Sequence, residues 1–412
     1  MGTGGQIKEI AGSEATRTVQ GRMDTAARSY LDHNATSPVR PEVAAAVARA
    51  LSLPGNPSSI HAEGRAARHA LQTARAQLAA LVGAAPERVV FTSGGTEAAN
   101  TVLSGALRRR DGSAPTRLMI SATEHPCVAA GHRFAEEAVE VLPVDEAGTL
   151  SLDGLAARLD ACRDEPVLIS VHAATNETGV VQPLAEIVRL ARAHGSALVH
   201  SDAVQAVGKI PLGLDAIGLD ALTLSGHKFA APKGVGALVL AEGVTLEAAF
   251  LRGGGQEARL RCGTENLPGI VGMGEAAEIA RAGLDHEAKR LTSLRDTLQT
   301  RVRALAPDAV VFGEGAARLP NTLSVSVPGL EAATALIALD LAGVAVSSGS
   351  ACASGKVARS PVLAAMGVSS ALAAGALRVS LGWNSDVDDL RRFLEGFERV
   401  VSSLYQRRGQ AA

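Results

Sequence analysis

The chain has 412 residues, 47% of them hydrophobic, with 40 basic against 42 acidic side chains and a formal charge of −2. Without a dense Lys/Arg cluster there is no electrostatic footprint for nucleic acid, and without a run of about 18 apolar residues there is no predicted membrane span. The polar, Gly-rich residues 1–30 have no apolar stretch of a secretory leader, the opening Met1 to Gln6 lacks the Ser or Thr of a myristoylation signal, and cysteines at 127, 162, 262 and 352 are too few and too scattered for a disulfide framework or zinc knuckle.

What is left is a cytoplasmic globular protein with a core large enough for an enzyme. Residues 1–28 read as a disordered tail, with Met23 an alternative start, and order is expected from Tyr30. From there to about residue 245, β-like runs alternate with Ala-rich helical stretches. Strands are predicted at 88–92, 117–121, 139–144, 167–172, 197–202, 221–225 and 235–240, and helices at 62–82, 94–108, 126–138, 151–162 and 183–194. Short continuous apolar strands separated by helices predict a buried, mostly parallel sheet with helices on both faces. The last third changes character. A long helix over 264–305, strands near 308–313 and 321–327, a helix at 331–341, a strand at 376–381 and a helix at 385–405 predict a separate, smaller α+β unit.

Three polar segments fall at predicted strand ends, where open α/β sheets bind their ligands. Lys228 closes Ser225-Gly226-His227-Lys228, with Pro232, Gly234 and Gly236 turning the chain after it. It is either a solvated loop lysine or a reactive amine. A pyridoxal phosphate enzyme needs such a lysine, a carboxylate for the pyridinium nitrogen and a phosphate cradle. Asp202, ending the run Leu198 to Asp202, supplies the carboxylate or merely caps a helix; Gln205 is placed to donate to the ring oxygen. The segment Thr92-Ser93-Gly94-Gly95-Thr96-Glu97 is either an ordinary β–α turn or the cradle, its backbone N–H groups and hydroxyls turned to an anion.

With these residues assembled, the chain resembles the cysteine desulfurases, NifS/IscS-like, of the class V aminotransferases. The resemblance runs from Tyr30 to the C-terminus. It rests on Tyr30–Thr36 (YLDHNAT), Gly55–His61 (GNPSSIH), Phe91–Glu97 (FTSGGTE), Thr123–Pro126 (TEHP) and Asn176–Gln182 (NETGVVQ). In the same order follow Ser201–Gln205 (SDAVQ), Ser225–Lys228 (SGHK), Gly253–Asn266 (GGGQEARLRCGTEN), Ser347–Cys352 (SSGSAC) and Leu377–Gly382 (LRVSLG). It implies a fold-type-I pyridoxal phosphate enzyme: a large α/β domain over 39–285, and a small α+β domain from 29–38 plus 286–412 that carries the catalytic cysteine. It also implies a homodimer, and conversion of L-cysteine to L-alanine with sulfur left on an enzyme cysteine as a persulfide. By resemblance, Lys228 is the Schiff-base lysine and proton carrier, Asp202 the pyridinium partner and Gln205 the donor to the ring oxygen. Gly95, Thr96, Ser225 and His227 resemble the phosphate ligands, with Thr264 reaching across from the other subunit. His125 resembles the histidine stacked on the ring; Asn176 belongs both to the cofactor set and, with Arg378 and Asn34, to the substrate-binding set. A planar guanidinium suits a carboxylate bidentately.

Cys352 is the expected nucleophile. The glycines and small residues around it have little capacity to form a core and predict a mobile, exposed loop, suited to attack on the substrate sulfur and then to delivery. An unperturbed thiol titrates near 8.5, so activation requires a base or a positive charge, for which His125 is the candidate. No intrinsic metal is expected; the metal role open to Cys352 is transient ligation of an iron–sulfur cluster shared with a scaffold. Two positions depart from the family pattern. Thr175 stands where a second Asn is common, and Cys262 where Ser or Pro is usual, either packing or lying near the site. Cys127 is given no role. Selenocysteine lyase, or another class V activity, is the rival enzyme, and a non-catalytic scaffold the rival of another class. The acceptor stays open among an iron–sulfur scaffold, a nitrogenase-maturation partner and a tRNA-thiolation protein.

Overall fold

The alternation of apolar and Ala-rich stretches becomes a seven-stranded sheet in the computed structural model, which describes residues 28–163, 165–348 and 360–410. Across the sheet the order is Val89–Thr92, Gly236–Leu240, Ala221–Ser225, Leu198–Asp202, Val167–Ser170, Arg117–Ser121 and Val139–Leu142. Gly236–Leu240 runs antiparallel to both neighbours, and the other four pairings are parallel. Successive strand residues alternate between two apolar clusters, one on each face. Leu198 and Leu238 belong to one, Val199 and Val239 to the other. That burial on both faces is why the strands read as continuous apolar runs.

The helices follow the same logic. Leu184–His194 buries Leu184, Ile187, Val188 and Ala191, a spacing that lines one face of a helix, and ends at Gly195 with φ 87°. The helix Leu267–Leu305 starts at Asn266, whose side chain accepts from Gly269 N. Its first half joins the sheet core through Ile270, Met273 and Ala277. Its second half joins a different cluster through Leu291, Leu298 and Val302. That cluster also draws on Leu31 and on residues up to Leu404, and packs a three-stranded antiparallel sheet of Val310–Val311, Thr322–Ser326 and Leu377–Ser380. Ser29–Tyr30 pairs in parallel with Val344–Ala345, which brings the early chain to the late one.

Two helices are shorter than the Ala-rich composition predicts. The 94–108 stretch is α-helical only over Gly95–Thr101. It loosens through Val102–Ala106, where Gly105 takes φ 80°, and Leu107–Arg108 pairs with Thr245–Leu246. The 126–138 stretch is helical only over Pro126–Ala129. The chain then packs so closely that a Cβ on Gly131 would lie 2.0 Å from Cys127 O. Pro41–Leu51 is a helix the pattern did not reveal. Among the described residues no helix is long and apolar enough to cross a membrane.

One segment is held against backbone strain. Glu257, Ala258 and Arg259 take φ of 47°, 53° and 68°, left-handed values that cost non-glycine residues about 1–3 kcal/mol each. The anchor is the buried Glu257 carboxylate, which accepts from Arg75 Nη2 at 2.6 Å, Arg75 Nη1 at 2.8 Å and Phe91 N at 2.8 Å. Glu257→Ala strands a buried guanidinium, so a stability loss of about 3–5 kcal/mol is expected in urea unfolding. A loss below about 1 kcal/mol would show that the pair does not hold the turn.

Candidate active site

Five strands of the sheet deliver their carboxyl-terminal ends to one cavity of about 280 Å³. After Val89–Thr92 come Gly95 and Thr96, and after Arg117–Ser121 comes His125. Val167–Ser170 is followed by His172, Thr175 and Asn176. Leu198–Asp202 gives Asp202 and Gln205, and Ala221–Ser225 gives Ser225, His227 and Lys228. All nine residues expected around a cofactor within one subunit therefore line the same space. The approach at Gly95 is close: a Cβ there would come 2.7 Å from Val204 Cγ2.

Lys228 sits in the 3₁₀ turn Gly226–Lys228. Its Nζ donates to Asn34 O at 2.6 Å and to Ala35 O at 2.9 Å. Burial, followed by the positive charge of Arg378, lowers its pKa to about 8 against the pull of Asp32 and Asp202. An amine so poised is available in its neutral, nucleophilic form near physiological pH. Asp202 is buried; its Oδ1 accepts from Val204 N at 2.9 Å and its Oδ2 from Cys127 Sγ at 3.6 Å. His125 caps Pro126–Ala129, its Nδ1 accepting from Cys127 N at 3.2 Å, which leaves Nε2 to carry the proton of the neutral ring. Burial lowers its pKa, as do Lys228 and His172, while Asp202 opposes them. His227 pairs through Nδ1 with the Thr36 hydroxyl at 3.1 Å, and burial lowers its pKa to about 4.

Arg378 lies beside this cavity on Leu377–Ser380. Its Nη1 donates to Asn176 O at 3.0 Å and its Nη2 to Asp32 Oδ1 at 2.8 Å, leaving a buried Nε with no partner among the described residues. Asn34 stands behind the cavity wall. Its Nδ2 donates to Thr322 Oγ1 and Asn176 O, and its Oδ1 accepts from Asn321 and Lys209. Its amide is committed to tying distant segments together. Thr264 is exposed and borders a different cavity, with Ser93 and Arg261. Cys262 is buried, and its Sγ donates to Gly254 O at 2.9 Å. Cys352 lies outside the described residues.

Sequence reading missed four polar residues here. Lys209 is buried and donates from Nζ to Gln205 Oε1 at 2.9 Å; burial lowers its pKa to about 7, with Lys228 and Arg378 adding to the effect. No signal in its own segment marked it, since residues 204–209 form turns and not a helix. His172 from the adjacent strand end, and Glu124 and Cys127 from the one beyond it, gather around Asp202. Among the described residues no three His, Cys, Asp or Glu side chains form a metal-binding group. The donors present suit an anionic pyridine cofactor: an amine of lowered basicity, a buried carboxylate, and backbone N–H groups and hydroxyls at Gly95, Thr96 and Ser225.

The family "Aminotransferase class-V" matches residues 29–393. A cysteine desulfurase of Cereibacter sphaeroides is 44% identical over 385 residues, covering 92% of this chain and 96% of the relative. The cysteine desulfurase IscS of Dictyoglomus turgidum is 40% identical over 382 residues, covering 91% and 95%. Among solved structures, a NifS-like protein from Rickettsia africae superposes with a TM-score of 0.81 at 32% identity, covering 91% of this chain and 99% of that one.

Proposed function

The chain belongs to the class V aminotransferase family and, within it, to the cysteine desulfurases, and on that premise we propose how its own residues carry the reaction. The enzyme converts L-cysteine to L-alanine with pyridoxal phosphate as cofactor, and leaves the sulfur as a persulfide on an enzyme cysteine for delivery to an acceptor. The observation that carries the residue assignment is the meeting of Lys228, Asp202, His125 and Gln205 in one cavity at the strand ends.

Lys228 holds the cofactor through Nζ, Asp202 pairs with its ring nitrogen, and Gln205 donates to its ring oxygen. Gly95, Thr96, Ser225 and His227 hold its phosphate, with Thr264 of a second subunit completing the set in a homodimer. Bound there, the cofactor supplies an electron sink for the substrate α-carbon. Arg378 orients the substrate carboxylate through its unpaired Nε, with Asn176 beside it; Asp32 and the Asn176 carbonyl fix the guanidinium plane. Asn34 contributes indirectly, by holding Lys228 and Asn176 in place. The Lys228 amine would carry the proton to and from the substrate α-carbon, and burial keeps bulk water from doing so indiscriminately. The Cys352 thiolate attacks the substrate sulfur, forming an S–S bond as the C–S bond breaks. The bonding pair stays with the carbon skeleton, which takes up protons to become alanine. His125 receives the thiol proton at Nδ1, the ring nitrogen without a hydrogen, giving up the hydrogen bond from Cys127 N to do so.

We divide the chain into a large domain over 39–285 and a small one from 29–38 plus 286–412. The support is the separate apolar cluster that spans Leu31 and Leu291 to Leu404. The acceptor is a sulfur-receiving protein such as an iron–sulfur scaffold. We place the enzyme in the cytoplasm; the described cysteines Cys127, Cys162 and Cys262 are unpaired thiols, as expected of a reducing compartment. The test is release of alanine and sulfide from L-cysteine under dithiothreitol by the yellow, cofactor-loaded protein. Equal amounts of the two products are expected. Alanine without sulfide, or pyruvate in place of alanine, would overturn the reading.

A further inference from the structure

Three neighbouring parallel strands lead into a row of ionisable groups, of which the mechanism above uses Asp202 alone. Arg117–Ser121 runs on to Glu124, Val167–Ser170 to His172, and Leu198–Asp202 ends at Asp202. Glu124 and His172 are 5% and 4% exposed. Glu124 Oε1 accepts the His172 backbone N–H at 2.6 Å and stands 3.4 Å from its Nδ1. His172 lines the same cavity as Lys228 and Asp202, yet its Nε2 is buried with no partner among the described residues. A buried donor is ordinarily paired with protein or water, and one on the wall of a ligand cavity is open to an acceptor on the ligand.

The charges around His172 support the same conclusion. Burial by itself would strip the ring of its proton, but Glu124 and then Asp202 outweigh it and raise the pKa. Burial also raises Glu124, and the charge and hydrogen bonds of His172 draw it back. The other titratable groups on this cavity are His125, which feels the charge of His172, Cys127, whose Sγ donates to Asp202 Oδ2, and His227 and Lys228. Resting on the reading that pyridoxal phosphate occupies this cavity, we propose that His172 is a further cofactor-holding residue: an imidazolium paired with Glu124 that donates from Nε2 into the cavity beside Asp202. Glu124 is then a positioning residue that acts through His172.

Equilibrium dialysis of pyridoxal phosphate against the apo-protein tests this without recourse to turnover. The variants are Glu124→Gln, His172→Met and the two combined. Glutamine keeps an acceptor for the His172 N–H while removing the charge. The double variant removes both charges, so no buried ion is left alone, and it keeps the test open should His172→Met fail to fold. Each single variant is expected to raise the Kd about tenfold, the loss of one charge-assisted hydrogen bond. The double variant should bind no more weakly than His172→Met, because both changes remove one interaction. Read as a ratio to His172→Met, which cancels the titration of Lys228, the affinity of the parent should fall as pH rises through the titration of His172. In Glu124→Gln that fall should come at lower pH, a displacement that a merely structural role would not produce. Variants that match the parent in Kd and pH profile overturn the proposal, as do Glu124→Gln and His172→Met losses that add in the double variant. Those outcomes leave the functional reading standing if the parent binds the cofactor; a parent that binds none overturns both.

Discussion

Lys228→Ala should lose alanine formation by a factor on the order of 10³ or more, while the purified protein still retains pyridoxal phosphate by its other contacts. Two duties end together in that variant: the covalent hold on the cofactor and the movement of a proton at the α-carbon. The local structure shows what the amine must give up to serve both. In the structure its donors are spent on the carbonyls of Asn34 and Ala35, which keep it pinned at the cavity wall. Its lowered pKa, about 8, then sets a pH window. A neutral amine attacks a carbonyl and an ammonium does not, so apo-protein should capture pyridoxal phosphate faster as pH rises, levelling off above about 8. Stopped-flow absorbance reads that rate, and borohydride reduction of the loaded parent should fix the cofactor mass on the peptide containing Lys228. A Lys228→Ala protein that keeps near-parental turnover, or a reduced adduct on Lys209, would refute the assignment.

Strand-end chemistry was legible in the sequence because parallel strands buried on both faces read as plain apolar runs, and whatever polar residue follows stands out. Asp202 and Ser225 to Lys228 were found that way and His125 only through the family resemblance, and the cavity gathers them all. What stayed hidden depends on partners far along the chain. Asn34 is bonded to Asn321 and Thr322, nearly 290 residues away, and nothing in its own segment separates a tie from a substrate ligand. Lys209 looks like any loop lysine until the fold buries it against Gln205. Glu124 and His172 are ordinary strand-end residues until adjacent strands set them side by side. Local propensity misled at 102–108, where Ala and Leu suit a helix. Gly105 at φ 80° and pairing with Thr245–Leu246 win instead.

Cys352→Ala should abolish sulfide release, a loss of roughly 10³–10⁶-fold of the kind that follows removal of a nucleophile, while the yellow colour of the bound cofactor stays unchanged. On the proposed assignment, colour and cofactor retention rest with Lys228, Asp202 and their neighbours, none of which is altered. The residue lies outside the described part of the structure, but the chain on either side of it is anchored at the site. Ser347 pairs through its backbone with Arg378, with N···O distances of 3.1 and 2.7 Å. Ser360 donates from its hydroxyl to buried Glu177, the residue after Asn176, at 2.6 Å. The segment carrying Cys352 therefore leaves and rejoins the fold beside the two residues assigned to the substrate carboxylate. The other cysteines are poorly suited to the task. Burial, reinforced by Asp202 and Glu124, pushes the Cys127 thiol far above its ordinary range, and burial raises Cys162 as well. A persulfide on Cys352 should be detectable by mass spectrometry after one turnover without reductant, and absent in the variant. Cys352→Ser should be as inactive as the alanine form, since serine restores the shape without the sulfur chemistry. Full activity in Cys352→Ala would mean that sulfur or selenium leaves without an enzyme thiol, and a selenocysteine lyase would then describe the protein better.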